Sequence, residues 1–205
     1  MLNYLYCKSL KLPLLGSFIK ILNAYAYKGN GSYTKRLAPL DLWKIRVFPA
    51  WINSLVISLI ISFIVIYFDV KDYDPGSYIT GSVPDLLGFA IGVFALIFVL
   101  PNGLKEFILK KGGDKFPIEE IPADIAYPLM GLMFTLIGCS LLELIDDGHY
   151  ISIYLETTLL FFSFEMIIEM IMFIYLLNRV NISSVIELKP KERFVDRQRN
   201  KQLKK

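Results

Sequence analysis

One histidine and two cysteines in 205 residues leave little from which to build a metal centre or a nucleophilic active site. His149 stands beside Asp146 and Asp147, and a lone histidine near acids reads as a solvated side chain, since metal sites assemble three or four ligands. Cys7 lies in a basic N-terminal segment and Cys139 inside an apolar run, so no disulfide is predicted. Cys-x-x-Cys, Gly-x-Ser-x-Gly, His-Glu-x-x-His and a phosphate-binding glycine loop are all missing. The acidic pairs Asp146-Asp147 and Glu119-Glu120 lack the partners that acid–base chemistry would need. The expectation is a non-enzyme with neither cofactor nor metal.

What is abundant is apolar length. Hydrophobic residues make up 55% of the chain and the mean hydropathy is +0.50, well above an ordinary soluble domain. Four runs stand out, at about 47–68, 83–101, 125–145 and 153–177. About 20 helical residues cross a hydrocarbon core ~30 Å thick, and these runs are apolar on nearly every face, unlike amphipathic soluble helices. Positive charge is scarce in two of the gaps. Between runs one and two there is 1 Lys or Arg, and between runs three and four none, so 21 of the 22 basic residues share one side. Basic flanks mark the cytoplasmic side. The fold class predicted is an all-α membrane protein with four transmembrane helices and both termini inside, in a bacterial inner membrane.

The chain divides into a cytosolic segment 1–46, three spans over 47–145 with a cytosolic loop 102–124, a fourth span 153–177 and a basic tail 178–205. Residues 1–46 do not read as a signal peptide, because Lys20 interrupts the apolar stretch before Ala24-Tyr25-Ala26. Between Pro13 and Tyr27, Leu14, Leu15, Phe18, Ile21, Leu22 and Tyr25 share one helical face, while Ser17, Lys20 and Asn23 share the other. That pattern predicts an amphipathic helix, either interfacial or packed on its neighbours. The short loops Asp69–Asp74 and Asp146–Asp147 are acidic. The basic tails suit anionic headgroups better than nucleic acid. Lys189 to Lys205 is predicted to be mobile until a partner orders it, with Val185, Ile186 and Leu188 as a short extended segment before it.

Within the spans, Trp51, Tyr67, Tyr127, Tyr154 and Tyr175 occupy the positions of interfacial anchors. Asp85 is the predicted N-cap of span two. Small residues recur at helical spacing: Ser54, Ser58 and Ser62 in span one, Gly88 and Gly92 in span two, Gly131 and Gly138 in span three. These let helices approach closely and are read as packing faces. Beyond span two, a short helix from Leu104 to Lys111 is predicted, with Glu106 and Lys110 one turn apart.

Glu165 and Glu169 sit inside span four, one turn apart, so both carboxylates leave the same face. An acid near mid-membrane costs ~2.5–3.5 kcal/mol on insertion scales, which implies a protein-facing or water-facing position. Three roles are open: a carboxylate-lined path in a homo-oligomer, protonated acids bonded across helices to Asn53 or a serine of span one, or a proton-coupled site. The runs contain no Lys or Arg to pair with them. There is also no internal repeat of spans, which weighs against a transporter.

The stretch Pro84-Asp85-Leu86-Leu87-Gly88-Phe89-Ala90-Ile91-Gly92-Val93-Phe94-Ala95-Leu96 resembles a helix of small bacterial anti-phage membrane proteins. The four-span plan with basic ends is similar to the KwaA family, the membrane subunits of Kiwa defence systems. That resemblance implies a homo-oligomer that senses envelope perturbation and relays it to a soluble, DNA-associated KwaB-like partner. It assigns no residues. The tail residues Lys189, Lys191, Arg193, Arg197 and Arg199 are candidates for partner docking. The rival expectation is a homo-oligomeric pore that depolarises the membrane through Glu165 and Glu169.

Overall fold

The computed structural model describes residues 2–11, 13–30, 35–70, 72–98, 121–145 and 150–202. Within them the chain is helical and has no strand: α1 (Leu2–Ser9), α2 (Pro13–Ala26), α3 (Leu40–Arg46), α4 (Phe48–Tyr67), α5 (Pro75–Phe98), α6 (Ile121–Ile145) and α7 (Tyr150–Gln202). Four helices are long and apolar enough to cross a membrane: α4, Pro75–Ala95 of α5, Ile121–Leu144 of α6 and Tyr150–Arg179 of α7. Lipid supplies no hydrogen bonds, so such segments must satisfy their own backbone, which a helix does internally. This overrides the poor helix propensity of the many Ile and Val residues of α4.

Spans one and three match their apolar runs closely, but span two does not. Its helix begins at Pro75 rather than near residue 83. The Asp74 carboxylate accepts the Ser77 N–H at 3.0 Å, which makes Asp74 the cap and Pro75 the first helical residue. Asp85, the predicted cap, therefore lies mid-helix beside the internal Pro84. A proline inside a helix forfeits one backbone bond, a loss that membrane helices tolerate when nearby groups compensate.

Span four departs furthest from expectation. α7 runs unbroken for 53 residues to Gln202, so the tail is helical rather than irregular, and Val185, Ile186 and Leu188 are helical too. The span above it has already met the cost of nucleation, and Lys, Arg, Glu and Gln propagate a helix well. The side-chain environments of Lys189, Lys191, Arg193, Arg197 and Arg199 lie outside the described residues. So do His149, Asp146, Asp147, Glu119, Glu120 and the predicted Leu104–Lys111 helix.

Small residues set the packing. Ser54 and Ser58 are fully buried and Ser62 nearly so, and the Ser58 and Thr158 hydroxyls meet at 2.7 Å between α4 and α7. A Cβ on Gly131 would lie 2.5 Å from Met166 Sδ, and one on Gly138 would lie 3.1 Å from Leu159. Both glycines thus admit α7 against α6. Gly88 and Gly92 face outward, with no atom of the described residues within 4 Å of an added Cβ, so they serve no packing among the described residues. Trp51 is not a free anchor either, because it stacks on Phe162 with centroids 4.1 Å apart. Tyr127, placed at a boundary by sequence, is 1% exposed and belongs to the core.

α2 packs on the bundle rather than standing apart from it. Phe18 stacks on Phe134 at 5.6 Å and Tyr25 on Tyr127 at 4.0 Å. Both helices advance seven residues between the two contacts, in opposite senses, so α2 runs antiparallel alongside α6. Asn23 is correspondingly not on a solvated face. Its side chain is fully buried, donating to Tyr6 Oη at 2.9 Å and to the Arg36 carbonyl at 2.8 Å while accepting the Ala38 N–H at 2.7 Å. One amide thereby ties together α1, α2 and the stretch of chain leading to α3.

The pairings Ser58–Thr158, Trp51–Phe162 and Gly131–Met166 make α7 antiparallel to both α4 and α6. One end of the bundle then gathers α3, the start of α4 and the start of α6; we call it the basic end, after Lys35, Arg36, Lys44 and Arg46. The opposite, acidic end gathers Asp74, Glu143 and Glu156.

Candidate functional site

Polar side chains concentrate in two places. At the basic end, Arg46 closes α3 and reaches into the bundle, its side chain only 16% exposed. Its Nη2 meets Asp124 Oδ1 of α6 at 2.9 Å, and its Nη1 donates to the Tyr25 carbonyl at 2.9 Å. Its guanidinium carbon also lies 4.4 Å above the Tyr25 ring, a cation–π contact. The planar guanidinium thus serves three directions at once, which a lysine cannot do.

The Tyr25 hydroxyl completes the cluster by lying close to the Glu169 carboxylate of α7. Burial pushes the Tyr25 phenol well above its ordinary range, with Glu169 adding to the rise and Arg46 opposing it. The phenol therefore stays protonated. Glu165 lies within electrostatic reach of Glu169. Tyr127, stacked under Tyr25, buries its hydroxyl without a hydrogen-bond partner among the described residues.

Sequence reasoning singles out Glu165, Glu169 and Asn53 as one polar site. The structure brings the two glutamates near each other, but Asn53 is exposed on α4. Glu169 lies instead beside Tyr25 and Arg46. The positive charge missing from the apolar runs comes from Arg46, one residue before the first run begins. Tyr25, Arg46, Asp124 and Tyr127 escaped detection as a group because they come from three helices. Only the position of Asp124 and Arg46 beside the ends of apolar runs hinted at it.

At the acidic end, a cavity of about 580 Å³ opens above the start of α5, with Asp74, Glu143 and Glu156 in its walls alongside Tyr73, Ser77 and Thr80. Glu156 is buried, and a Cβ on Gly76 would come within 3.3 Å of its Oε2, so only glycine fits there without displacement. The Tyr73 and Thr157 hydroxyls lie 3.2 Å apart. Cys139 Sγ approaches the Gly76 carbonyl at 3.7 Å and Glu143 Oε1 at 3.8 Å. No group of three or more candidate ligands among the described residues has metal-binding geometry.

No family model, curated protein or solved structure matches this chain. Its site is therefore read from its own chemistry. The basic-end cluster ties α2, α3, α6 and α7 through charge and hydrogen bonding, so movement of α7 is felt by the N-terminal helices and the reverse. Both cysteines are free, Cys7 exposed and Cys139 buried.

Proposed function

We propose that this protein is an inner-membrane sensor and scaffold of the Kiwa type, non-enzymatic, with its basic end and both termini in the cytosol. It detects perturbation of the envelope and relays it to a soluble, KwaB-like partner. The observation that carries the reading is α7, a single helix from Tyr150 to Gln202. At ~1.5 Å per residue such a helix is about 80 Å long, more than twice a hydrocarbon core. The helix leaves the membrane without a break as far as Pro190, so tilt or rotation of the span reaches the start of the basic tail, and Pro190 gives the part beyond it, with Lys191, Arg193, Arg197 and Arg199 following Lys189, a point at which to bend toward a docked partner. The basic-end cluster supplies a discrete contact that such a motion would make or break. Gly88 and Gly92, unfilled among the described residues, fit the seam between copies in a homo-oligomer.

The rival pore would turn Glu165 and Glu169 toward an axis shared between copies. The proximity of Glu169 to Tyr25 and Arg46 of the same chain supports the relay instead. The deciding experiment is purification in mild detergent from cells carrying the native neighbouring genes, with the mass of the intact complex measured. A stoichiometric cytosolic partner that is lost on deleting Lys189–Lys205 supports the sensor. A homo-oligomer alone, conducting in bilayers and silenced by Glu165→Gln with Glu169→Gln, would replace it with the pore.

A further inference from the structure

The outward faces of α4 and α5 offer the membrane different chemistry. α4 turns Ile52, Val56, Leu59, Ile60 and Phe63 outward, a surface that lipid satisfies. α5 turns out Gly81, Ser82, Asp85, Gly88 and Gly92, all of them exposed. Two contacts fix the depth of Asp85. A Cβ on Gly76 would lie 3.3 Å from Glu156 Oε2 at the acidic end, and Phe94 packs on Ile121, Ile125 and Phe173 toward the basic end. Asp85 stands nine residues from each, about 13 Å by helical rise, in the middle of the apolar span Pro75–Ala95. Its side chain is too short to reach either headgroup layer from there, so it must meet protein or water. Among the described residues no hydrogen bond or ion pair reaches its carboxylate, and the Ser82 hydroxyl one turn earlier is equally unengaged.

We propose that this face of α5 is the contact between two copies of the chain, with Asp85 of each copy accepting the Ser82 hydroxyl of the other. Copies inserted in one membrane share their orientation, so a two-fold axis along its normal sets equal depths face to face. Ser82 and Asp85 lie three residues apart on one helix surface, which brings donor and acceptor together twice across such an axis. The match is chemical: the carboxylate needs donors and the serine supplies one. Gly81 and Gly88 flank the pair, and neither has an atom of the described residues within 4 Å of an added Cβ, so the two helices can approach closely enough for the bonds to form. The proposal rests on the homo-oligomer of the sensor reading and adds to it the surface and the polar contact that hold the copies together.

The full chain, in native membranes and then in mild detergent, tests this. In a Cys7→Ser background, where the remaining Cys139 is buried, Gly88→Cys should cross-link under mild oxidation to a species of twice the chain's mass. Leu59→Cys, on the outward face of α4, should not. Association measured by native mass spectrometry across a dilution series should weaken about tenfold in Asp85→Leu and in Ser82→Ala, since each removes both reciprocal bonds. Asp85→Asn, which still accepts a hydrogen bond, should stay within about twofold of wild type. Asp85→Leu associating as tightly as wild type overturns the proposal, as does cross-linking through Leu59→Cys with none through Gly88→Cys; either result leaves the homo-oligomer of the sensor reading standing. A chain that is monomeric in every form overturns that homo-oligomer as well. A Gly88→Cys product of any other mass would give the face to a different membrane protein and also overturn the proposal.

Discussion

The two ends of the bundle hold comparable numbers of acidic side chains and treat them in opposite ways. At the basic end, Asp124 and Glu169 are met by Arg46 and Tyr25, stacked and largely closed off. At the acidic end, Asp74, Glu143 and Glu156 surround an open cavity of about 580 Å³ whose lining has no Lys or Arg. A buried ion pair adds little net stability over an apolar substitute, yet breaking it is expensive, because one charge is left behind. Glu143 is exposed at the cavity, so neutralising it there costs little. The first arrangement is a clasp that fixes which helices touch. The second is a hydrated mouth, and stability should register damage to the two very differently.

The sharpest contrast comes from Arg46→Ala. It removes the cation that meets Asp124, 18% exposed, and releases the Tyr25 ring and carbonyl together. A loss of about 3 kcal/mol is expected, at the lower end for a half-broken buried pair because some exposure remains. Thermal unfolding in detergent would read it, and a change no larger than that of Glu143→Gln would erase the distinction between the ends. Asn23→Ala comes next. It leaves the Ala38 N–H without its acceptor and removes both donor bonds, for about 1–3 kcal/mol. It should also expose α2 to limited proteolysis before the spans. Glu143→Gln, by comparison, should stay within about 0.5 kcal/mol, as surface changes do. Accessibility gives the same contrast a second readout. In a Cys7→Ser background, Thr80→Cys at the cavity should react with a membrane-impermeant maleimide, and Tyr127→Cys in the core should not.

How much of this was legible beforehand differs between spans and sites for physical reasons. The apolar runs located α4 almost to the residue and α6 to within four residues at its start, because lipid imposes one solution on a long apolar segment. The start of α5 was misplaced since hydropathy is blind to a cap. Asp74-Pro75 begins the helix eight residues before apolar density rises, and the polar residues Ser77, Thr80 and Ser82 then ride on a membrane helix. The serine stripe Ser54, Ser58 and Ser62 was readable from spacing, and it is buried. Gly88 and Gly92 carry the same spacing signal but face outward, so spacing alone cannot say whether the partner helix is in the same chain. Of the candidate site, Glu165 and Glu169 were visible as acids in an apolar run. Their environment was not, because it depends on a tyrosine 144 residues earlier in the sequence and on an arginine that composition files with the cytosolic charges. Glu156 went unnoticed near the end of its run, where a charge looks ordinary.

The smallest effect, and the most specific to the clasp, is a dependence on alkaline pH. Tyr25 is 4% exposed and its phenol is raised from a reference near 10.0, first by burial and then by the Glu169 charge. Below pH 10 the phenol is protonated in both folded and unfolded chains, so its contribution to stability is fully present. Above pH 10 the unfolded chain releases that proton while the folded one retains it. The unfolded state then binds fewer protons, and stability must fall as pH rises. The slope approaches about 1.4 kcal/mol per pH unit for one such group. Lysines also titrate in this window, so the informative quantity is the difference between wild type and Tyr25→Phe. The variant should be less stable at neutral pH, having lost the hydroxyl beside Glu169, yet its stability should decline less steeply above pH 10. Parallel curves would mean that the phenol is hydrated in solution, and the basic end would then be as open as the acidic one.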